Sequence, residues 1–339
     1  MKLGCHIRNM AGNSNTHRLT GLLLISVIAL AAAEPGIFLT KDYLVSMLYL
    51  FPEFGILALG MALCMISGGI DLCVVATANF SGILTCMFLR KVIPEGNVGI
   101  LMFCVGVIMA IAIGMACGSL NGFLIAKLGI PPILATLGGS DLVMGPAIAL
   151  TKGSSITNIP PILNRVGTHI IGGVLPVTLI MFVICALFVS YLLNRTTYGY
   201  KLYMMGANPV ASGYSGVNNA EILIKTYMIS GMMAAISGLL MCARFNTARA
   251  DFGSSYTMQA ILICVLGGVN PNGGFGKVKG IVLAVLILQV LSSGFNMFPA
   301  ISNFYRDLIW GAVLIIIISV NHIGDSTEDK KLKMHNESK

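Results

Sequence analysis

Few side chains in this sequence have the type and spacing that catalysis needs. The patterns H-E-x-x-H and G-x-S-x-G, and an Asp pair four residues apart, are missing from its apolar segments. Gly276-Lys277-Val278 resembles the end of a phosphate-binding loop, but Val278 replaces the Ser or Thr that contacts Mg²⁺, and Pro271 stands at the first glycine. The sequence therefore predicts neither an enzyme nor an ATPase, and no metal or other cofactor in this chain. The five histidines are scattered near segment ends: His6, His17, His169, His322 and His335.

Polar side chains inside or at the edge of apolar segments are the remaining candidates for function. A charge at the centre of a bilayer costs about 2.5 kcal/mol or more, so such a residue usually faces a water-filled cavity or a partner. A satisfied structural hydrogen bond, or a position nearer the interface, is the open alternative for each. The three acidic residues have no matching set of buried bases, which favours a neutral polar solute over ion coupling. The predicted path-lining residues are Glu53, Asp71, Asn79, Asn121, Asp141 and Asn296.

The elements that position these residues are long apolar runs. With 56% hydrophobic and 10% charged residues among 339, and a mean hydropathy of +0.87, the chain is too apolar for a soluble globule. The runs are continuous, whereas barrel strands alternate, so backbone satisfaction in lipid leaves helices. We predict an all-α polytopic membrane protein with about ten transmembrane helices, at residues 19–38, 43–66, 72–89, 98–126, 131–150, 172–193, 221–243, 256–274, 280–297 and 305–321.

Pro and Gly are expected to break several of these spans. The predicted breaks lie at Pro52 and Gly55 in the second span, between Pro131 and Pro146 in the fifth, and at Gly267-Gly268 in the eighth. Close helix packing is the alternative role for glycine, and we assign it to residues 114–118 and 231–238. Gly68-Gly69-Ile70-Asp71 and Gly267-Gly268-Val269-Asn270 are similar, which weakly indicates related halves.

The distribution of charge predicts that both termini are cytoplasmic. With ten spans, thirteen Lys and Arg fall inside and eight outside, in the direction of the positive-inside rule. The net charge of +8 is spread over loops and the tail, which does not suit nucleic acid. We therefore predict a cytoplasmic segment 1–18, a membrane domain 19–321 and a cytoplasmic tail 322–339. The first helix resembles a signal peptide, but the many later spans favour an uncleaved helix. The nine cysteines contain no C-x-x-C and are expected to be small buried hydrophobes.

The longest polar interior segment, 194–220, is predicted to lie in the cytoplasm. Asn208 can cap a short helix that begins at Pro209, and Gly213 and Gly216 would keep that helix short. Such a helix outside the bilayer suits contact with a partner, whereas the same residues would also suit a solvated loop.

Four ordered blocks make the chain similar to permease subunits of bacterial ATP-binding-cassette importers of the ribose, galactose and xylose type, which include autoinducer-2 permeases. The resemblance runs from about Tyr43 to Asn321. The blocks are Leu59-Gly60-Met61 with residues 66–72; Asn121-Gly122 with residues 127–132 and 135–138; Gly206-Ala207-Asn208 with 211–212 and 215–217; and residues 265–268 with 273–276 and Gly280.

The resemblance implies how the chain would work. Two permease subunits would form the pathway, a separate ATPase would carry ATP and Mg²⁺, and an extracytoplasmic binding protein would deliver the solute across the bacterial inner membrane. The implied ATPase-coupling residues are Gly206, Asn208, Pro209, Ala211, Ser212, Gly213, Ser215 and Gly216. Departures at Cys73-Val74-Val75-Ala76, Gly213 and Asp141 leave the solute and the identity of the second permease open.

Three alternatives remain from the sequence. The same architecture could import a nucleoside or a polyol. A secondary carrier or channel would need no docking segment and no ATP, and a polytopic enzyme lacks the required acid, base or metal residues.

Overall fold

The fold is helical, as expected. The computed structural model describes residues 2–92, 100–157 and 159–297, and single helical positions at 308, 311, 312 and 315. Its helices are α1 (Lys2–Ala33), α2 (Pro35–Phe38), α3 (Lys41–Leu50), α4 (Pro52–Ile66), α5 (Val74–Val92), α6 (Ile100–Leu128), α7 (Pro132–Thr151), α8 (Pro161–Thr168), α9 (Val177–Arg195), α10 (Thr197–Ala207), α11 (Pro209–Tyr214), α12 (Asn219–Phe245), α13 (Tyr256–Leu266) and α14 (Val278–Met297).

Seven segments in the described part of the chain are long and apolar enough to cross a membrane. They comprise residues 16–33, α3 with α4, and helices α6, α7, α9, α12 and α14; α13 is a shorter apolar helix. The protein is therefore an all-α polytopic membrane protein. The predicted span 305–321 falls almost entirely outside the described residues, and the tail 322–339 wholly so. The number of ten spans and the side of the termini stay predictions.

The predicted helix breaks have mixed outcomes. The break at Pro52 is confirmed: α3 ends at Leu50 and α4 begins at Pro52, because proline has no N–H to donate and suits the first helical position. The eighth span is also interrupted, since α13 ends at Leu266. The breaks predicted at Gly55 and within the fifth span are wrong: Gly55 lies inside α4, and α7 continues through Gly138, Gly139 and Pro146. Neighbouring groups can satisfy the backbone around a membrane proline, so a helix tolerates it.

Helix α12 holds the bundle together through close backbone contacts. Gly118 of α6 lies against the carbonyl of Tyr227, and Gly114 and Gly231 lie against each other, so a methyl group at any of these three glycines would overlap backbone atoms. Gly238 lies equally close to α5. The close packing predicted for these glycine segments is confirmed. Small residues of this kind allow membrane helices to approach closely enough for dispersion contacts to accumulate.

Helix α4 lies at the centre of the bundle, because every residue from Pro52 to Ile66 is buried. It packs mainly on α12, α13 and α9. At the Pro52 end, β1 (Ile156–Thr157) pairs antiparallel with β4 (Thr247–Ala248). A second short pair joins β2 (Ile170–Ile171) and β3 (Leu175–Pro176). The opposite end of α4 faces the segment between α9 and α12, where the sequence places its coupling residues.

Candidate functional site

Helix α4 ends in a glycine-terminated cap. Gly68 has φ +87°, and its amide donates to the Met65 carbonyl at 3.0 Å. The Gly69 amide donates to the Cys64 carbonyl at 3.0 Å. These two bonds satisfy carbonyls that would otherwise be unpaired at the helix end. Gly68 has the left-handed backbone conformation that favours glycine.

Helix α13 ends in the same way, at positions 200 residues later. Gly268 has φ +81°, and its amide donates to the Val265 carbonyl at 3.0 Å. The Val269 amide donates to the Cys264 carbonyl at 2.9 Å. The two glycine pairs seen in the sequence therefore end two helices with one geometry, which supports the idea of related halves.

A side-chain turn follows each of these caps. The Asp71 carboxylate accepts from the Cys73 amide at 3.1 Å, and the Asn270 side-chain oxygen accepts from the Asn272 amide at 2.9 Å. Both are Asx turns that follow closely after a helix end. Asp71 and Asn270 thus occupy comparable places after α4 and α13.

The end of α10 joins these two helix ends. The Gly274 amide, in the loop after α13, donates to the Ile66 carbonyl at the end of α4 over 2.9 Å. Gly206 lies against this bond, and the Cβ of an alanine there would overlap the Ile66 carbonyl and lie 2.6 Å from the Gly274 nitrogen. Tyr203 adds a hydrogen bond from its hydroxyl to the Gly276 carbonyl at 2.6 Å. We call this contact of Ile66, Gly206 and Gly274 the junction.

Helix α11 begins directly after the junction. The Asn208 side-chain oxygen accepts from the amides of Val210 and Ala211, both at 3.0 Å, and Pro209 occupies the first helical position. The predicted capped helix is confirmed. It ends at Tyr214, before the left-handed Gly216 that has φ +79°.

The inner side of α11 is fixed to α12. The buried Ser212 hydroxyl donates to the Asn219 side-chain oxygen at 2.6 Å, and the Asn219 amide group donates to the Pro209 carbonyl at 2.7 Å. These bonds attach α11 to the first turn of α12.

The outer side of α11 exposes two apolar side chains that the sequence analysis did not select. Val210 is 67% exposed and Tyr214 is 91% exposed. Their spacing of four residues places both on one helical face, and this spacing after a capping Asn was the signal available in the sequence. Of the eight candidate coupling residues, Gly206 and Ser212 are buried; the exposed ones are Asn208, Pro209, Ala211, Gly213, Ser215 and Gly216.

At the opposite end of α4, Glu53 is enclosed by an ion-pair network. Arg244 of α12 lies 2.7 Å from a Glu53 carboxylate oxygen, and the Tyr256 hydroxyl donates to the same oxygen at 2.8 Å. Arg244 also donates to the Leu50 carbonyl at 3.2 Å, and Ser237 donates to the Glu53 carbonyl at 2.8 Å. The sequence indicated no base for Glu53, because Arg244 falls just beyond the end of a predicted span.

The other candidate path residues lie in different environments. Asp71 and Asn121 are buried near each other, on either side of Cys73. Asn79 is buried and donates to the carbonyls of Ala250 at 2.9 Å and Phe252 at 2.8 Å. Asp141 on α7 and Asn296 on α14 are exposed on this chain. The six candidates therefore do not form one cluster. Within the described ranges, no three His, Cys, Asp or Glu side chains are placed to hold a metal ion.

Comparison with known proteins gives the family. The model of the family described as "Branched-chain amino acid transport system / permease component" matches residues 43–318. Autoinducer 2 import system permease protein LsrD from Yersinia enterocolitica is 31% identical to this chain over 78% of each of the two chains. The protein of the same name from Photorhabdus temperata is 30% identical over 88% of this chain and 89% of its own length. The protein of that name from Escherichia coli K12 is 28% identical over 88% of this chain and 89% of its own length.

No solved structure matches this chain. The matched range agrees with the range over which the sequence blocks resemble importer permeases. The comparison also indicates a transport subunit rather than an enzyme. This chain belongs to the branched-chain amino acid transport system / permease component family of ATP-binding-cassette importers.

Proposed function

We propose that this chain forms the membrane pathway of an ATP-driven importer of a sugar-like solute and couples that pathway to a separate ATPase subunit. The observation that carries the proposal is the position of α11. It exposes an apolar face at one end of the bundle and is connected through the junction to the ends of two buried helices.

The geometry supports a direct mechanical route. A partner that displaces α11 also displaces Asn208 and Gly206, because the α10 and α11 helices are consecutive. Gly206 contacts the Ile66 carbonyl and the Gly274 amide without intervening side chains, so little of the movement can be absorbed by rotamer changes. The ends of α4 and α13 would then shift together.

The charges around α11 support a cytoplasmic position for this end of the bundle. Exposed basic residues surround it on the ends of α6 and α9, on α10, and at the beginnings of α12 and α14. The positive-inside rule assigns such a surface to the cytoplasm. The residues are Lys127, Arg195, Lys201, Lys225 and Lys279.

The proposed solute and partners follow the family. The relatives named above are autoinducer 2 permeases, so autoinducer 2 or a related monosaccharide is the first candidate. A second permease subunit would complete the pathway, an extracytoplasmic binding protein would deliver the solute, and the ATPase subunit would bind ATP and Mg²⁺. The assembly would lie in the bacterial cytoplasmic membrane with both termini of this chain in the cytoplasm.

The first test is purification of the chain from its native membrane in mild detergent, with identification of the co-purifying proteins and an ATPase assay. Tyr214→Ala should reduce the amount of bound ATPase by roughly 30-fold, since a buried aromatic residue at an interface is typically worth about 2 kcal/mol or more. Tyr200→Ala, which removes an aromatic side chain that is 60% exposed on α10, is the matched control and should change binding by less than about twofold.

Two results would overturn the proposal. One is a chain that binds no ATPase and moves solute into liposomes without ATP, which would indicate a secondary carrier. The other is equal retention of the ATPase by both tyrosine variants, which would remove α11 as the docking site. Uptake of nucleosides or polyols in place of sugars would change the proposed solute but not the proposed ATP-driven import.

A further inference from the structure

A compact polar cluster surrounds the connection between α4 and α5, deep in the bundle. Asp71 lies in this connection, Asn121 comes from α6, Thr136 from α7, and Tyr227 and Ser230 from α12. All five are buried, with Tyr227 and Thr136 showing no exposed surface and Asn121 only 1%. Four different segments therefore contribute polar side chains to one region of an otherwise apolar core.

Part of this cluster is satisfied by the protein itself. Ser230 donates from its hydroxyl to Asp71 at 2.7 Å, and the Cys73 amide donates to the other carboxylate oxygen at 3.1 Å. Thr136 donates to the Ile70 carbonyl at 3.1 Å. Within the described part of the chain, Asp71 forms no ion pair with a base. A carboxylate can accept about four hydrogen bonds, so two acceptor positions are left over.

Two further atoms of the cluster have no hydrogen-bond partner among the described residues. They are the Tyr227 hydroxyl and the Asn121 side-chain oxygen. Each lies against a glycine: Tyr227 against Gly69 and Asn121 against Gly139, and a methyl group at either glycine would overlap it. Buried polar atoms are normally paired, because an unpaired one is costly, so two such atoms beside a buried carboxylate indicate an absent partner.

We propose that Asp71, Asn121 and Tyr227 form a binding site for the hydroxyl groups of a neutral polyhydroxylated solute within the pathway. Hydroxyls of the solute donate to Asp71 and Asn121, and one of its oxygens accepts from Tyr227. The donors that Ser230 and Cys73 direct at Asp71 stabilise its charge without a counter-ion, which suits a neutral solute better than a cation.

The cluster is closed on all sides in this structure, and its opening depends on the proposed importer function. Gly69 lies three residues after Ile66, whose carbonyl belongs to the junction. A movement of the α4 end during ATP turnover therefore moves Gly69 away from Tyr227. Inside the proposed importer, the cluster is therefore a state-dependent site for the solute.

Native cysteines provide the first test. Cys73 adjoins the cluster, whereas Cys264 is equally buried, with its thiol donating to the Ala58 carbonyl at 3.3 Å. The purified complex in membranes is treated with N-ethylmaleimide without nucleotide, with ATP, and with ATP and vanadate, and both cysteine peptides are quantified by mass spectrometry. We expect Cys73 to react at least tenfold faster in one of the two nucleotide-bound states than without nucleotide. Cys264 should remain unreactive in all three conditions.

The outcomes separate this inference from the importer proposal. ATPase activity together with a Cys73 that is as unreactive as Cys264 in every state overturns this inference alone. A chain without any associated ATPase activity overturns the importer proposal, and this inference fails with it.

A pair of tyrosine variants provides the second test. Tyr227→Phe removes only the unpartnered hydroxyl, so it should preserve or raise the thermal midpoint. It should nevertheless lower uptake at least fivefold, measured with whichever of autoinducer 2, D-ribose, D-galactose or D-xylose the wild-type complex transports. Tyr198→Phe removes a half-buried hydroxyl that already bonds Thr226 at 2.7 Å, so it should lower the midpoint and leave uptake per folded complex unchanged. Normal uptake by Tyr227→Phe would show that its hydroxyl serves an ordered water or nothing, and would overturn the site.

Discussion

Substitution of Gly206 by alanine tests the junction, because this glycine has no room for a side chain. The new Cβ would overlap the Ile66 carbonyl and lie 2.6 Å from the Gly274 nitrogen. Non-bonded heavy atoms need about 3.5 Å or more, so α10 must separate from its neighbours by more than about 1 Å. If the backbone segments at Gly274 and Ile66 also move apart by a similar distance, the 2.9 Å hydrogen bond between them breaks.

The cost of this substitution has two parts. Overpacking of a tight site costs about 1–3 kcal/mol, and the loss of one backbone hydrogen bond about 1 kcal/mol. We therefore expect Gly206→Ala to reduce the free energy of unfolding by about 2–4 kcal/mol and the thermal midpoint by several degrees. Since α11 keeps its own cap and its bonds to α12, the ATPase should still bind, but ATP hydrolysis should no longer drive uptake.

The assay combines thermal unfolding of the detergent-solubilised chain, co-purification of the ATPase, and uptake by reconstituted vesicles. Gly21→Ala is the control, since nothing lies within 4 Å of the added methyl group in α1. That change should raise stability by up to about 1 kcal/mol through helix propensity and leave uptake unaltered. A Gly206→Ala chain with the stability and the coupled uptake of the wild type would refute the role of the junction.

Two further predictions concern the ends of the bundle. Asn208→Ala should cost about 1 kcal/mol in the local stability of α11. It should weaken ATPase binding but leave the thermal midpoint of the whole chain unchanged. Hydrogen exchange of residues 209–214 checks this, and unchanged protection of these amides would contradict the capping role of Asn208. Arg244→Ala should destabilise the chain by about 3–5 kcal/mol because it leaves Glu53 buried without a counter-ion. Arg249→Ala is the control, because Arg249 forms an exposed ion pair with Asp251, and it should cost less than about 1 kcal/mol in the same thermal unfolding experiment. Equal effects of the two arginine variants would show that burial of the Arg244–Glu53 pair is unimportant.

The features that the sequence predicted correctly depend on local backbone chemistry. Asn208 followed by Pro209 starts a helix in almost any context, because the cap and the fixed φ act within three residues. Pro52 interrupts the second span for the same kind of reason. The packing role of residues 114–118 was also visible, since glycines four residues apart repeat on one helical face.

The features that the sequence did not reveal depend on helix depth and rotation. Arg244 was placed outside a span, because hydropathy locates helix ends to within a few residues only, and a shift of one turn decides whether its side chain reaches Glu53. The continuity of α7 through Pro146 was missed, because the surroundings that satisfy a freed carbonyl are not local. Asp71 and Asn121 were both selected for polarity, but their proximity on either side of Cys73 follows from the packing of α4, α6 and α12.

Under the proposed coupling, the equivalent ends of α4 and α13 let one short helix act on both of them. Each helix ends in a cap whose central glycine has a positive φ and whose next amide donates back to the last helical turn. The bond from Gly274 to Ile66 joins the end of one helix to the loop that follows the other. Under the proposed coupling, a single displacement at Gly206 acts on the ends of both helices at once.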